Sequence, residues 1–183
     1  MLITYNYNEG IKMRNRYLEI WKEIGNRCSI IDIGGRKGEL LKNCPFKFEG
    51  KYKNFDIIDG NDILSPIKIR EKFDFVVFSH VIEHIDNQNI ALENIKKVLK
   101  NKGKLIICIP NALSLRKIIN YILGRRLESY GGFETHLVCF NLETIKNLLE
   151  KHGFKCLKAR FLDKPINIGK FSEEILIVAK KNR

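Results

Sequence analysis

Two groups of residues have types and spacings suited to chemistry. The first is Asp32 with Gly34, Gly35 and Gly38, in the stretch Ile31-Asp32-Ile33-Gly34-Gly35-Arg36-Lys37-Gly38. Glycines let a backbone turn sharply and approach a ligand without Cβ clashes. A carboxylate at the head of such a turn gives opposite charge to a cationic ligand, whereas a dinucleotide site sets backbone amides against a pyrophosphate. The second group is His80-Val81-Ile82-Glu83-His84, with His136 much later in the chain. Imidazole titrates near neutral pH, which makes His80 and His84 candidate general bases. His152, just before Gly153, reads as a helix-end residue.

The elements that must position these groups alternate along the chain. Tyr17, Ile20, Trp21 and Ile24 recur at helical spacing, and Gly25 should end that helix. Residues 28–33 form an apolar run closed by the glycine turn, with a helix expected from about Glu39. Residues 52–58 and 73–79 read as strands; the second, Phe-Asp-Phe-Val-Val-Phe-Ser, has the β-branched and aromatic make-up of a buried parallel strand. A helix over 90–100 carries Ala91, Ile95, Val98 and Leu99, with Gly103 as its stop, and 105–109 is a further strand ended by Pro110. Residues 113–127 are amphipathic and basic. Asn141 should cap a helix bearing Leu142, Ile145, Leu148 and Leu149, stopped by Gly153. Strands over 154–161 and 174–180 have no helix between them and should pair antiparallel. The expected fold class is α/β: a doubly wound, mostly parallel sheet with helices on both faces and a C-terminal antiparallel strand pair. Ligands bind such sheets at the carboxyl ends of the strands, where His80, Glu83 and His84 fall.

A length of 183 residues suits one domain over 1–183, with 1–27 as an N-terminal helical segment. Hydrophobic content of 44% with 30% charged residues argues against disorder. The start Met1-Leu2-Ile3-Thr4 lacks the basic-then-apolar pattern of a signal peptide, and no apolar run has transmembrane length, so a cytoplasmic location is expected. Cys28, Cys44, Cys108, Cys139 and Cys156 are odd in number without a C-x-x-C pair, which points to reduced thiols. The net charge of +12 favours anionic partners, yet the lysines are spread along the whole chain, as on a solvated surface.

With these residues in place, the chain from about Cys28 to Lys180 resembles class I, Rossmann-like S-adenosylmethionine-dependent methyltransferases, the ubiquinone-pathway O-methyltransferases among them. The resemblance implies a seven-stranded type of sheet. It makes Asp32, Gly34, Gly35 and Gly38 the cofactor loop, with Asp32 facing the cofactor's ammonium group. Arg36 stands where the family has its middle glycine. Asp56 matches the acid that binds ribose, with Asp59 as a competitor. Asp62 and Ile63 resemble the adenine contacts, and Ser79 ends the strand that leads into the site. Residues 111–134 become a substrate lid whose apolar side chains, with Arg116, Lys117, Arg125 and Arg126, suit an anionic or lipid-like acceptor.

Two branches of the family place a Glu-x-x-Glu-His segment after the fourth strand and use it with metal. Here that segment begins with His80. By resemblance, His80, Glu83, His84 and His136 are then both catalytic and potential ligands of a divalent ion, which would lower the acceptor hydroxyl's pKa. The first functional expectation is therefore methyl transfer to an oxygen of a small-molecule or biosynthetic intermediate, with S-adenosylhomocysteine as the other product. The alternatives are RNA 2′-O-methylation and a non-catalytic binding module of the same fold. An Asn/Asp-Pro-Pro-Tyr segment is absent after the fourth strand, which disfavours adenine-N6 chemistry. The terminal strand pair disfavours a nicotinamide oxidoreductase.

Overall fold

The computed structural model describes residues 15–124, 136–162 and 169–182. Their order is α1 (Asn15–Trp21), β1 (Ser29–Ile33), α2 (Glu39–Lys42), β2 (Lys51–Phe55), β3 (Phe73–Ser79), α3 (Gln88–Val98), β4 (Leu99–Pro110), α4 (Leu115–Ile122), α5 (Leu142–Lys151), β5 (Phe154–Leu162) and β6 (Glu174–Lys181). The described strands form one six-stranded sheet in the order β2-β1-β3-β4-β6-β5. β1 to β4 run parallel, while β6 pairs antiparallel with both β4 and β5. The doubly wound sheet with an antiparallel ending is as expected. The strand count is one fewer than the seven-stranded type, because 60–72 runs from β2 to β3 without a strand.

Alternation along the strands sorts side chains into two layers. Ile31, Ile33, Val76, Phe78, Leu105, Ile107, Ile175 and Ile177 face α3 and α5, and meet Leu92, Ile95, Ile145 and Leu149 there. Ile30, Val77, Ile106, Cys108, Leu176 and Val178 face the opposite way, onto Ile20, Trp21, Ile24 and Leu40. Asp32 shares the parity of Ile30, so its side chain falls on the α1 side. Trp21 fixes α1 there: its indole N–H donates to the Leu40 carbonyl at 3.0 Å, and its ring meets Phe46 edge-on at 5.4 Å.

Several boundaries differ from the sequence expectation. The helix after the glycine turn is a single turn, because Asn43 folds its side-chain amide back onto the Glu39 carbonyl. α3 ends at Val98 and the chain passes directly into β4, so Gly103 lies inside a strand. There it gives room: a Cβ would press on the Phe73 carbonyl at the register shift between β3 and β4. The amphipathic segment is helical over Leu115–Ile122; Arg125 and Arg126, with the rest of the expected lid to residue 134, lie outside the described residues.

α5 follows its sequence signals closely. Asn141 and Thr144 form a reciprocal capping box, and Gly153 takes φ 72 just past the helix end. His152 occupies the C-cap and contacts Glu93 and Asn89 of α3 at 3.1 and 2.7 Å, a structural role. Among the described residues no helix is long and apolar enough to cross a membrane.

Candidate active site

A cleft of about 240 Å³ opens at the carboxyl ends of β1 and β3. Its floor is Asp32, Gly34, Gly35 and Arg36, its far wall Ser79 and His80, and its roof Arg16 and Tyr17 of α1. The turn after β1 departs from ordinary backbone at Gly34, Arg36 and Gly38. Gly34 has φ 73, and its N–H donates to the Phe55 carbonyl at 2.9 Å, locking the turn to β2. Arg36 has φ 51, a left-handed conformation where a side chain is strained. The departure from the family's middle glycine is therefore accommodated by strain, with the arginine side chain out in solvent. Asp56 holds this geometry: its Oδ2 accepts from the Arg36 amide at 2.6 Å and its Oδ1 from the Ile58 amide at 3.0 Å.

Gly35 is where the backbone must lack a side chain. A Cβ there would overlap the carboxylate of Asp32 and the amide oxygen of Asn54. Gly35→Ala is expected to push both aside and cost about 1–3 kcal/mol of stability. A thermal melt against wild type checks it, and an unchanged melting temperature would contradict the tight approach.

Asp32 is buried, and its Oδ2 accepts from the Tyr52 hydroxyl at 2.6 Å. Burial pushes its pKa up to about 6, against the pull of that hydrogen bond. The Tyr52 phenol is pushed far upward by burial and by the Asp32 charge, so it stays a donor.

The remaining expected cofactor residues separate. Gly38 takes φ 74 and caps α2, outside the cleft lining. Asp56, the acid that resembles the ribose-binding one, is buried, and each of its oxygens accepts from a backbone amide, so it also braces the loop. Asp59 is exposed beside it and accepts from Asn54 at 3.0 Å. Asp62 closes an Asx turn onto the Leu64 amide at 2.9 Å. Ile63 is buried in the core under α3, where Asn94 donates to its carbonyl at 2.8 Å. The apolar side chains exposed at this end of the sheet are instead Ile57 and Ile58, 73% and 66% accessible.

Past β3, the chain turns at His80, which has φ 56 and an amide donating to the Cys108 carbonyl at 2.8 Å. A single 3₁₀ turn over Ile82–His84 follows. The Glu83 carbonyl accepts from the amides of Leu137 and Val138 at 2.9 and 3.3 Å, which brings the segment with His136 alongside. The rings of His84 and His136 meet edge to face at 4.8 Å. Burial lowers both imidazole pKa values, helped at His84 by Arg36 and at His136 by His84, so both are neutral at pH 7. The Glu83 carboxyl is buried with neither oxygen hydrogen-bonded among the described residues. Burial raises its pKa to about 7.

The four expected catalytic and metal-ligating residues form two groups. Glu83, His84 and His136 present ligand atoms within 4.8 Å of one another. His80 turns away to Glu174 and Cys108. Its Nε2 lies 3.0 Å from Glu174 Oε1 and its Nδ1 3.6 Å from Glu83 Oε1. Arg16, Tyr52 and Glu174 escaped sequence reasoning, because each reaches the site only through tertiary contacts.

The family described as methyltransferase domain matches residues 5–159. No curated protein matches the sequence. Among solved structures, a S-adenosylmethionine-dependent methyltransferase from Clostridium acetobutylicum superposes with a TM-score of 0.65 at 16% identity, covering 96% of this chain and 94% of that one. A SAM dependent methyltransferase from Archaeoglobus fulgidus gives a TM-score of 0.62 at 24% identity, covering 91% of this chain and 90% of that one. The small RNA methyltransferase HEN1 gives 0.69 at 15% identity; the match covers 92% of this chain but 25% of that larger one. These likenesses establish the shared fold.

Proposed function

The chain belongs to the methyltransferase-domain family, with the class I S-adenosylmethionine-dependent fold, and on that premise we propose that it methylates a hydroxyl oxygen of a small molecule. The observation that carries this reading is a cleft floored by Asp32 and the glycine turn with His80 in its far wall, and the His84–His136 imidazole pair built on the turn that follows His80.

The residues fit the cofactor. Asp32 lies buried at the cleft floor as the counter-charge for an ammonium group, and Gly35 leaves no room for a side chain between it and Asn54. Ile57 and Ile58 offer exposed apolar surface for an adenine, and exposed Asp59, which accepts from Asn54 through Oδ2, offers a carboxylate for ribose hydroxyls. S-adenosylmethionine supplies a methyl group already activated on a sulfonium, so the chain's task is to position the acceptor and take its proton. His84 is the better placed base, since His80 is engaged by Glu174. Its unprotonated nitrogen accepts the hydroxyl proton as the oxygen takes the methyl and the C–S electron pair stays on sulfur.

The acceptor side is bounded by α4, whose Leu115, Ile119 and Ile122 are exposed beside Arg116 and Lys117, a surface suited to an apolar acceptor with negative charge. The test is transfer of a labelled methyl from S-adenosylmethionine to a panel of phenolic, sugar and lipid-linked hydroxyl acceptors. A labelled ether product supports the reading; label found only on nitrogen or carbon overturns the oxygen assignment.

One observation favours a second reading. Glu83, His84 and His136 form a two-imidazole, one-carboxylate donor set, and the orphaned Glu83 oxygens suit a cation. A divalent ion there would lower the pKa of an acceptor hydroxyl. On this reading the acceptor is an RNA ribose 2′-hydroxyl; RNA is the substrate that the name of the small RNA methyltransferase gives for that protein. Divalent-dependent transfer to RNA, with binding that weakens steeply as salt rises, would select this reading over the first.

A further inference from the structure

We propose that Glu174 is a positioning residue, whose one carboxylate oxygen holds both Arg16 and His80 and so sets the roof and the far wall of the cleft together. Glu174 begins β6, and it is absent from the cleft lining, whereas Arg16 and His80 both belong to it. Its Oε1 lies 3.3 Å from Arg16 Nη1 and 3.0 Å from His80 Nε2, while its Oε2 is 3.9 Å from the Cys108 thiol. Arg16 stands 158 positions away in sequence, and its side chain is 13% exposed. A buried guanidinium left unpaired is costly, so the contact that satisfies it also holds α1 in place over the cleft.

His80 gives the second half of the argument. Its backbone is fixed in the left-handed region, anchored by the hydrogen bond its amide donates to the Cys108 carbonyl. With the backbone set, the ring is oriented by what its two nitrogens meet. Ionised Glu174 can only accept, so the 3.0 Å contact favours a proton on Nε2. Nδ1 is thereby left toward Glu83 at 3.6 Å. Glu174 thus acts through His80 and Arg16, touching neither cofactor nor acceptor. His80 and Arg16 hold its own carboxyl ionised, below the usual carboxylate range, against the effect of burial.

The role of Glu174 in binding rests on the methyl-transfer reading, but the ring geometry does not. Nitrogen-resolved NMR of the imidazoles in the ligand-free chain, with His80 assigned through His80→Gln, reports which nitrogen is protonated. The expected result is a protonated Nε2 in wild type, retained in Glu174→Gln, whose amide oxygen still accepts, and lost or averaged in Glu174→Leu. S-adenosylhomocysteine affinity should fall about tenfold in Glu174→Leu, the size expected from losing a charge-assisted contact that holds the roof. A bare Nε2 in wild type overturns the proposal, and that measurement needs no variant to fold. A folded Glu174→Leu with a lower melting temperature but unchanged His80 signals and affinity also overturns it, since Glu174 would then be merely structural. Failure of wild type to bind S-adenosylhomocysteine would instead strike the methyl-transfer reading and leave the imidazole result intact.

Discussion

Replacing Asp32 by alanine is expected to weaken S-adenosylhomocysteine binding by roughly 10- to 150-fold, the range for losing a hydrogen bond to a charged group. The carboxylate sits buried on the cleft floor with the Tyr52 hydroxyl as its partner, so no exposed charge stands ready to replace it. The same residue makes binding depend on pH. In the folded chain Asp32 titrates at about 6, above its ordinary 3.8, because burial favours the neutral acid. The folded chain therefore holds a proton that the unfolded chain has given up. That contribution to ligand-free stability grows as pH falls from about 6 toward 3.8 and is absent above it. The ammonium group of the ligand reverses the preference and expels the proton. Affinity should be flat above about pH 7 and fall as pH drops below 6, by up to tenfold per unit. Calorimetry in two buffers of different ionisation enthalpy measures the proton released. Equal heats near pH 6, or wild-type affinity in Asp32→Ala, would refute the assignment.

His84→Ala should leave cofactor binding intact and slow methyl transfer by about 100-fold or more, the scale of a lost general base. His84 lies outside the cleft lining and packs against His136, so the two effects separate. Single-turnover transfer from labelled cofactor isolates the chemical step from product release. A rate within about threefold of wild type would exclude His84 as the base, and positioning of the acceptor alone would then have to account for the acceleration.

Much of this arrangement was legible in the chain, and what escaped has physical reasons. The buried runs of β3 and β6 and the capped helix α5 announce themselves, because their periodicity and end signals are local. The adjacency of Glu83 and His84 is also local, and the Asp32 turn follows from its glycines. The passage from α3 straight into β4 was hidden, since Gly103 signals a helix stop in sequence but in space gives clearance for the Phe73 carbonyl. The bracing of the Arg36 amide by Asp56 was hidden too, because sequence shows only the acid's position after a strand. Ile63 looked like a ligand contact, yet Asn94 of α3 draws its carbonyl inward and buries it. Splitting His80 from His84 needed the left-handed turn at His80 and the distant Glu174, and neither leaves a mark on local spacing.

The sheet order gives the surplus positive charge a different meaning. β2 and β5 are the two edges, and an edge strand carries a row of unsatisfied backbone groups that another molecule's strand can complete. Lys51 and Lys53 are exposed on β2, and Lys155 and Lys158 on β5. Two copies approaching edge to edge would have to bring like charges together and strip them of water, which opposes fibre-like stacking between chains. Of these, Lys51 pairs with Glu71 and Lys158 with Glu23, so Lys53 and Lys155 are the edge charges that such an approach would oppose most directly.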